Sequence, residues 1–368
     1  MIDFVFKTEP YDHQREAFIA SAEKENFALL MDMGTGKTKV DIDSMGYCYE
    51  KGLIDFAIIV APKGVIRNWV PEITTHLPER IEREVVVWKP GLTKANRKEL
   101  MDLYEHSGKM KFLLMNIEAF STKKGVDVAE FFVKKFKVFM TVDESTTIKN
   151  RQAKRTKAVC SVGRGAVMRR ILTGSPVTKS PMDLFSQMGF LSPDILGFKS
   201  YYAFQGRYAV VQRRSMGARS FNQILGFQKL DELTETLDEH SFRVRKEDCL
   251  DLPDKVYMRR EVELTPEQTE AYVQMKHLAL ARLDSGDLAT TQNVLTQIMR
   301  LQQICLGSLT DDDGDVHPLK SNRQTALLDI CDEIQGKAII WATWTQDIRS
   351  IAEALRDRFS VQAVATLH

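Results

Sequence analysis

Met31-Asp-Met-Gly-Thr-Gly-Lys-Thr38 decides how this chain is read. A short apolar run, Phe27-Ala-Leu-Leu-Met31, leads into it, and a helix is expected from Lys37 to about Glu50. A strand, a glycine-rich loop and a helix in that order form a cradle for a triphosphate. Gly34 and Gly36 can take the left-handed angles that turn backbone N–H groups toward phosphate oxygens. The helix N-terminus adds partial positive charge. Lys37 is expected to reach the β- and γ-phosphates, and the Thr38 hydroxyl to ligate Mg²⁺. Thr35, between the glycines, belongs to the same binding loop. The general motif opens on Gly and position 31 here is Met, but the core from Gly34 to Thr38 is intact.

Upstream, Pro10-Tyr-Asp-His-Gln-Arg-Glu-Ala-Phe18 opens a helix. Asp12 is its expected N-cap, and Phe18 and Ile19 are expected to face the core. Gln14 is a candidate for reading an adenine edge, because an amide both donates and accepts. Downstream, Phe56-Ala-Ile-Ile-Val-Ala61 is a continuous apolar run, as in a parallel strand covered on both faces. Further strands are expected at Glu84–Trp88, Lys111–Ile117, Lys137–Val142 and Arg169–Thr173, with helices between them. This alternation predicts an α/β fold built on a doubly wound parallel sheet. Ligands of such sheets bind beyond the carboxyl ends of the strands.

The strand ending at Val142 runs directly into Asp143-Glu144-Ser145-Thr146. Beside a phosphate loop, two carboxylates at that position have a specific use. Asp143 is the candidate to hold Mg²⁺, directly or through water, and Glu144 to orient and deprotonate an attacking water. Leu172-Thr-Gly-Ser-Pro176 closes the next strand. Thr173 and Ser175 either sense the γ-phosphate through those carboxylates or form a plain turn.

Hydrophobic content of 43% over 368 residues is enough for packed cores in two domains, or in one domain and part of another. The net charge of +1 gives no bulk attraction to a polyanion. Local charge does: Lys149 to Arg170 holds eight basic residues and no acid, and Lys199 to Arg219 holds five more and no acid. Such stretches suit a phosphate backbone, without base-reading chemistry. The five cysteines have no metal-ligand spacing and read as reduced, mostly buried thiols. No secretory leader or membrane-length apolar run is visible, so a cytoplasmic location without membrane contact is expected.

Taken together, the Gln14 motif, MDMGTGKT, Val60-Ala-Pro-Lys-Gly-Val-Ile-Arg-Asn-Trp69, DEST and LTGSP resemble the helicases of superfamily two. Thr147-Ile-Lys-Asn150, LTGSP, His240 to Pro253, Glu263-Leu-Thr-Pro-Glu-Gln268, Leu301-Gln-Gln-Ile-Cys305 and Lys337 to Trp344 narrow the resemblance. They are similar to segments of the Swi/Snf-like group of double-stranded DNA translocases, in a compact form closest to phage or bacterial members. The resemblance implies a RecA-like first lobe at 1–190 and a helical protrusion-like insert at 191–260. It further implies a helical linker with a hairpin tipped by Asp313-Gly314 at 261–320, and the start of a second lobe at 321–368. It implies ATP and Mg²⁺ as cofactors and duplex DNA as partner. Lys63, Asn116 and Lys149 fall on motif loops that touch the DNA backbone in the family.

The family's DEAH appears here as DEST, which keeps both acids and raises the question of how Ser145 and Thr146 couple to a second lobe. The later arginine that stabilises transition-state charge has no counterpart in the chain. Such an arginine is worth about 10³–10⁵ in rate. Weak hydrolysis by the chain alone is therefore expected, with the arginine coming from a protein partner or a second copy. A strand-separating helicase of the same superfamily and a non-hydrolysing ATP- and DNA-binding module remain as alternatives.

Overall fold

Largely apolar runs between residues 26 and 172 become strands of one sheet in the computed structural model, as expected of strands covered on both faces. The structure describes every residue except 1–2, 92, 106–107, 217–218, 250, 252, 254, 285–290, 311–314 and 367–368. Along 215–216, 219–221, 278–284, 291–294 and 310 it describes the backbone alone. The chain divides into two units, Met1–Pro253 and Asp254–His368.

The first unit opens with α1 (Asp12–Ser21), β1 (Asn26–Met31), α2 (Lys37–Glu50), β2 (Phe56–Ala61) and α3 (Trp69–His76). It continues through β3 (Arg83–Val87), α4 (Lys94–Asp102), β4 (Met110–Asn116), α5 (Lys123–Lys135), β5 (Val138–Asp143), α6 (Lys154–Gly163) and β6 (Met168–Leu172). After α7 (Leu184–Leu191) and α8 (Tyr201–Tyr208) come β7 (Ala209–Met216) and β8 (Arg219–Phe227). Then follow α9 (Leu230–Asp238), β9 (Ser241–Val244) and α10 (Lys246–Cys249).

Among the described residues, seven strands form one sheet in the order β3-β4-β2-β5-β6-β1-β9, and every pairing is parallel. Side chains of a strand alternate between the two faces. In β2, Phe56, Ile58 and Val60 enter one core with residues of α5, α6 and α7, while Ala57, Ile59 and Ala61 enter the other with residues of α1, α2 and α3. All six are fully buried. Because the strands are parallel, the loops after β1, β2, β4, β5 and β6 emerge at one edge of the sheet.

Several details differ from the sequence expectation. The segment read as a helical insert contains the antiparallel pair β7–β8, and its end returns to the main sheet as β9 beside β1. Tyr11, not Asp12, is the N-cap of α1, and Gln14 Oε1 accepts the Tyr11 N–H at 3.1 Å. Phe18 is buried, but Ile19 is 58% exposed. All five cysteines are free thiols, and only Cys48 is buried. Among the described residues no helix is long and apolar enough to cross a membrane.

The second unit contains α11 (Pro266–Asp284), α12 (Thr291–Leu306), β10 (Ser308–Thr310), β11 (Val316–Pro318), α13 (Asn322–Glu333) and α14 (Thr345–Phe359). Thr265 and Gln268 form a capping box at the start of α11. The Thr265 N–H donates to Gln268 Oε1 at 3.1 Å, and the Gln268 N–H to Thr265 Oγ1 at 3.2 Å. Gln268 Nε2 also donates to the Ile304 carbonyl at 2.7 Å, tying α11 to the end of α12. β10 and β11 pair antiparallel, and the Asp313-Gly314 tip lies outside the described residues. Lys337 to Trp344, similar to a strand in the family, is not in a strand here, and Ile339 and Trp341 are 81% and 90% exposed. A strand needs a hydrogen-bonded neighbour, and none pairs with it among the described residues.

Candidate nucleotide and metal site

The loop after β1 has the conformation its glycines permit. Gly34 and Gly36 stand at φ +85° and +89°, and α2 begins at Lys37 directly after the second. The loop is braced from three sides. Thr35 is buried, and its hydroxyl donates to the Asp32 carbonyl at 2.8 Å. The Thr35 carbonyl bonds His13 Nε2 at 2.8 Å and accepts from Gln14 Nε2 at 3.1 Å. The Asp32 N–H donates to the Val244 carbonyl at 3.0 Å, and the Lys246 N–H donates to Asp32 Oδ2 at 3.0 Å. Gly174 presses on the loop as well: a Cβ there would meet Asp32 Cα at 3.3 Å and the Met31 carbonyl at 3.4 Å. His13, Asp32, Gly174 and Lys246 were missed by sequence reasoning, because their partners are distant in the chain.

Asp143 ends β5 and Glu144 follows it, both facing the loop across the sheet edge. Gly34, Gly36, Lys37, Thr38, Asp143 and Glu144 line one cleft of about 550 Å³, together with Gln14, Tyr11 and Trp69. Asp143 Oδ2 accepts from Trp69 Nε1 at 3.1 Å, and Oδ1 accepts the Glu144 N–H at 3.0 Å. Burial pushes the Asp143 carboxyl up from its ordinary range, while the Trp69 bond and the Lys37 charge pull it back. Burial also raises Glu144, with Lys37 opposing and Asp143 reinforcing. Glu144 stands at φ +49°, an angle unusual for a residue with a side chain and frequent where strain serves a site.

No three His, Cys, Asp or Glu side chains group into a metal cage among the described residues. The donors on hand fit Mg²⁺ instead. Mg²⁺ keeps several waters and is held by one or two carboxylates plus substrate phosphates. Asp143 and Thr38 are the residues that could hold it.

Gln14 lines the cleft, but its amide is engaged by the Tyr11 N–H and the Thr35 carbonyl, which leaves one amide hydrogen for a base. Thr173 is buried, and its hydroxyl accepts the Ser175 N–H at 3.2 Å; neither residue lines the cleft. Ser145 of DEST is also buried. Its hydroxyl donates to Gln187 Oε1 at 2.6 Å, and Gln187 Nε2 donates to the Pro176 carbonyl at 2.7 Å. That relay ties the acidic motif to the exit of LTGSP.

Asn116 ends β4, and Lys63 and Lys149 follow β2 and β5 at the same sheet edge. Lys63 is exposed, Asn116 Nδ2 donates to Glu118 Oε2 at 2.9 Å, and Lys149 Nζ donates to Thr178 Oγ1. The acid-free stretches divide. Arg151, Lys157, Arg164 and Lys199 line one groove of about 680 Å³, whereas Arg169 is half-buried, its Nε donating to Asn26 Oδ1 at 2.7 Å, and Arg170 turns inward. Arg170 is fully buried and donates to the carbonyls of Ser21, Lys24, Glu25 and Arg169. Carbonyls past a helix end need donors, so this arginine serves the fold rather than a phosphate backbone.

Residues 11–308 match the sequence profile of the SNF2-related domain. The chain belongs to the SNF2-related domain family. Among its SNF2-related relatives, an uncharacterized ATP-dependent helicase of Mycoplasma genitalium is 26% identical over 357 residues, covering 95% of this chain and 31% of that protein. The Mus musculus DNA annealing helicase and endonuclease ZRANB3 is 25% identical over 322 residues, covering 84% of this chain and 28% of that protein. This SNF2-related chain therefore spans about a third or less of these relatives' length. In structure it is similar to the Sulfolobus solfataricus SWI2/SNF2 ATPase core in complex with dsDNA. The TM-score is 0.51 at 20% identity, over 96% of this chain and 70% of that one. The sheet and helices described above are thus the fold of an SNF2 ATPase core.

Proposed function

We propose that this chain is the nucleotide-binding part of an ATP-driven translocase on double-stranded DNA. The observation that carries the reading is the convergence of Lys37 and Thr38 with Asp143 and Glu144 in one cleft. In this reading the Gly34–Thr38 loop and Lys37 bind the phosphate chain, and Thr38 and Asp143 hold Mg²⁺. The metal supplies charge neutralisation to the phosphates when bound. Glu144 orients the attacking water and takes its proton, and burial gives it the raised basicity that this role needs. Gln14 offers its remaining amide hydrogen to the base, and Thr173 and Ser175 act on the site through the loop contact at Gly174.

Lys63, Asn116 and Lys149 touch the duplex backbone without reading sequence. The Sulfolobus relative's complex with dsDNA supports a duplex partner. The described residues lining the cleft include Lys37 and Lys39 but no arginine. An arginine from a partner or a second copy would complete the charge stabilisation.

The test is fluorescent-ATP binding and steady-state hydrolysis with and without duplex DNA. Lys37→Ala is expected to remove binding. Glu144→Gln is expected to keep binding and to lower any turnover by about 10²–10⁴. Normal ATP affinity in Lys37→Ala would sink the site, and stimulation by single strands but not duplex would favour strand separation over translocation.

A further inference from the structure

Trp69 begins α3 and is 1% exposed, with its ring in the core on the α1–α3 side of the sheet. A buried indole N–H must find an acceptor. Here the acceptor is not a backbone carbonyl but Asp143 Oδ2, at 3.1 Å. The other carboxylate oxygen is held by the Glu144 N–H at 3.0 Å. Asp143 is itself 8% exposed. Its plane is thus fixed by two donors on opposite oxygens, and each oxygen keeps a lone pair for the cleft.

We propose that Trp69 is a positioning residue for the metal-binding carboxylate, holding Asp143 in the one orientation that presents an oxygen to a divalent cation beside Thr38. The inference rests on the nucleotide-site reading above. Carboxylates that ligate metals are themselves oriented by hydrogen bonds, and loss of such a partner typically costs about 10–100-fold in metal affinity. A tryptophan conserving only core volume would have no such effect, which separates the two roles.

The decisive variant is Trp69→Phe, which keeps an aromatic ring and removes the N–H. Affinity for fluorescent ATP is measured across a Mg²⁺ titration and again in EDTA. The expected result is that half-maximal tightening needs about tenfold more Mg²⁺, with the Mg²⁺-free affinity within about twofold of the parent. In an Asp143→Asn background, Trp69→Phe should add nothing to the Mg²⁺ dependence. Equal weakening with and without Mg²⁺, or no change in either, would overturn the proposal.

Should Trp69→Phe fold poorly, Trp69 can be left in place as the only indole through Trp88→Phe, Trp341→Phe and Trp344→Phe. Its fluorescence should then shift with the same Mg²⁺ midpoint as nucleotide tightening, and a silent indole would refute the idea. A parent chain that binds ATP indifferently to Mg²⁺ would overturn the metal site itself, and the Trp69 role with it.

Discussion

Replacing Gly36 by Ala tests whether the first helix and the phosphate loop are one mechanical unit. An added Cβ would stand 2.2 Å from Gln14 Nε2 and 2.9 Å from Gln14 Cδ, so the Gln14 side chain must leave. Leaving breaks its bonds to the Thr35 carbonyl and the Tyr11 N–H, at 3.1 Å each. Two such bonds are worth about 2 kcal/mol together. The backbone at φ +89° adds about 1–2 kcal/mol for any residue with a side chain. Gly36→Ala should therefore cost about 3–4 kcal/mol. In a Gln14→Ala background the clash and both bonds are already gone, and only the backbone cost of about 1–2 kcal/mol remains. Urea denaturation of the four chains of this cycle should give a coupling of about 2 kcal/mol. An equal cost of Gly36→Ala in both backgrounds would refute the reasoning, because Gln14 would then not be what the glycine makes room for.

Asp41 is fully buried on α2, accepts from Thr141 Oγ1 at 2.8 Å, and is pushed up from 3.8 to about 7 chiefly by burial. Raised in the fold, it favours folding below its unfolded value and loses that contribution as pH rises through about 7. Stability should thus fall by up to about 4 kcal/mol from Asp41 between mildly acidic and neutral pH, and Asp41→Asn should flatten that slope in denaturation curves. Lys63→Ala should weaken duplex binding about equally for all sequences and lower the magnitude of the salt slope by about 1, measured by fluorescence anisotropy at several ionic strengths. A sequence-selective loss would contradict a backbone contact.

The parts legible in advance are those where burial and local order coincide. Phe56–Ala61 is apolar throughout because both faces of β2 are covered, and the glycines of the phosphate loop announce their own backbone. β9 was not legible: Ser241-Phe-Arg-Val244 is short, only partly apolar, and lies at the sheet margin, where one side needs no neighbour. Charge misled at Arg169 and Arg170, because a count of lysines and arginines carries no direction. Only the fold reveals that Arg170 closes the end of α1. Trp69 is core in the structure. Its bond to Asp143 spans 74 positions and leaves no local trace.

The placement of β1 also bears on how the chain is made. The strand that carries the phosphate loop leaves the ribosome well before both its neighbours, β6 at Met168–Leu172 and β9 at Ser241–Val244. Parallel pairings across such separations form slowly, since the intervening loop must close before any contact rewards it. During synthesis the loop therefore has no flanking strands, and the contacts to Val244 and Lys246 that pin Asp32 arrive last of all. A nascent chain stopped short of β9 would hold the whole glycine motif and still lack a finished cradle. Nucleotide capture would thus mark completion of the first unit.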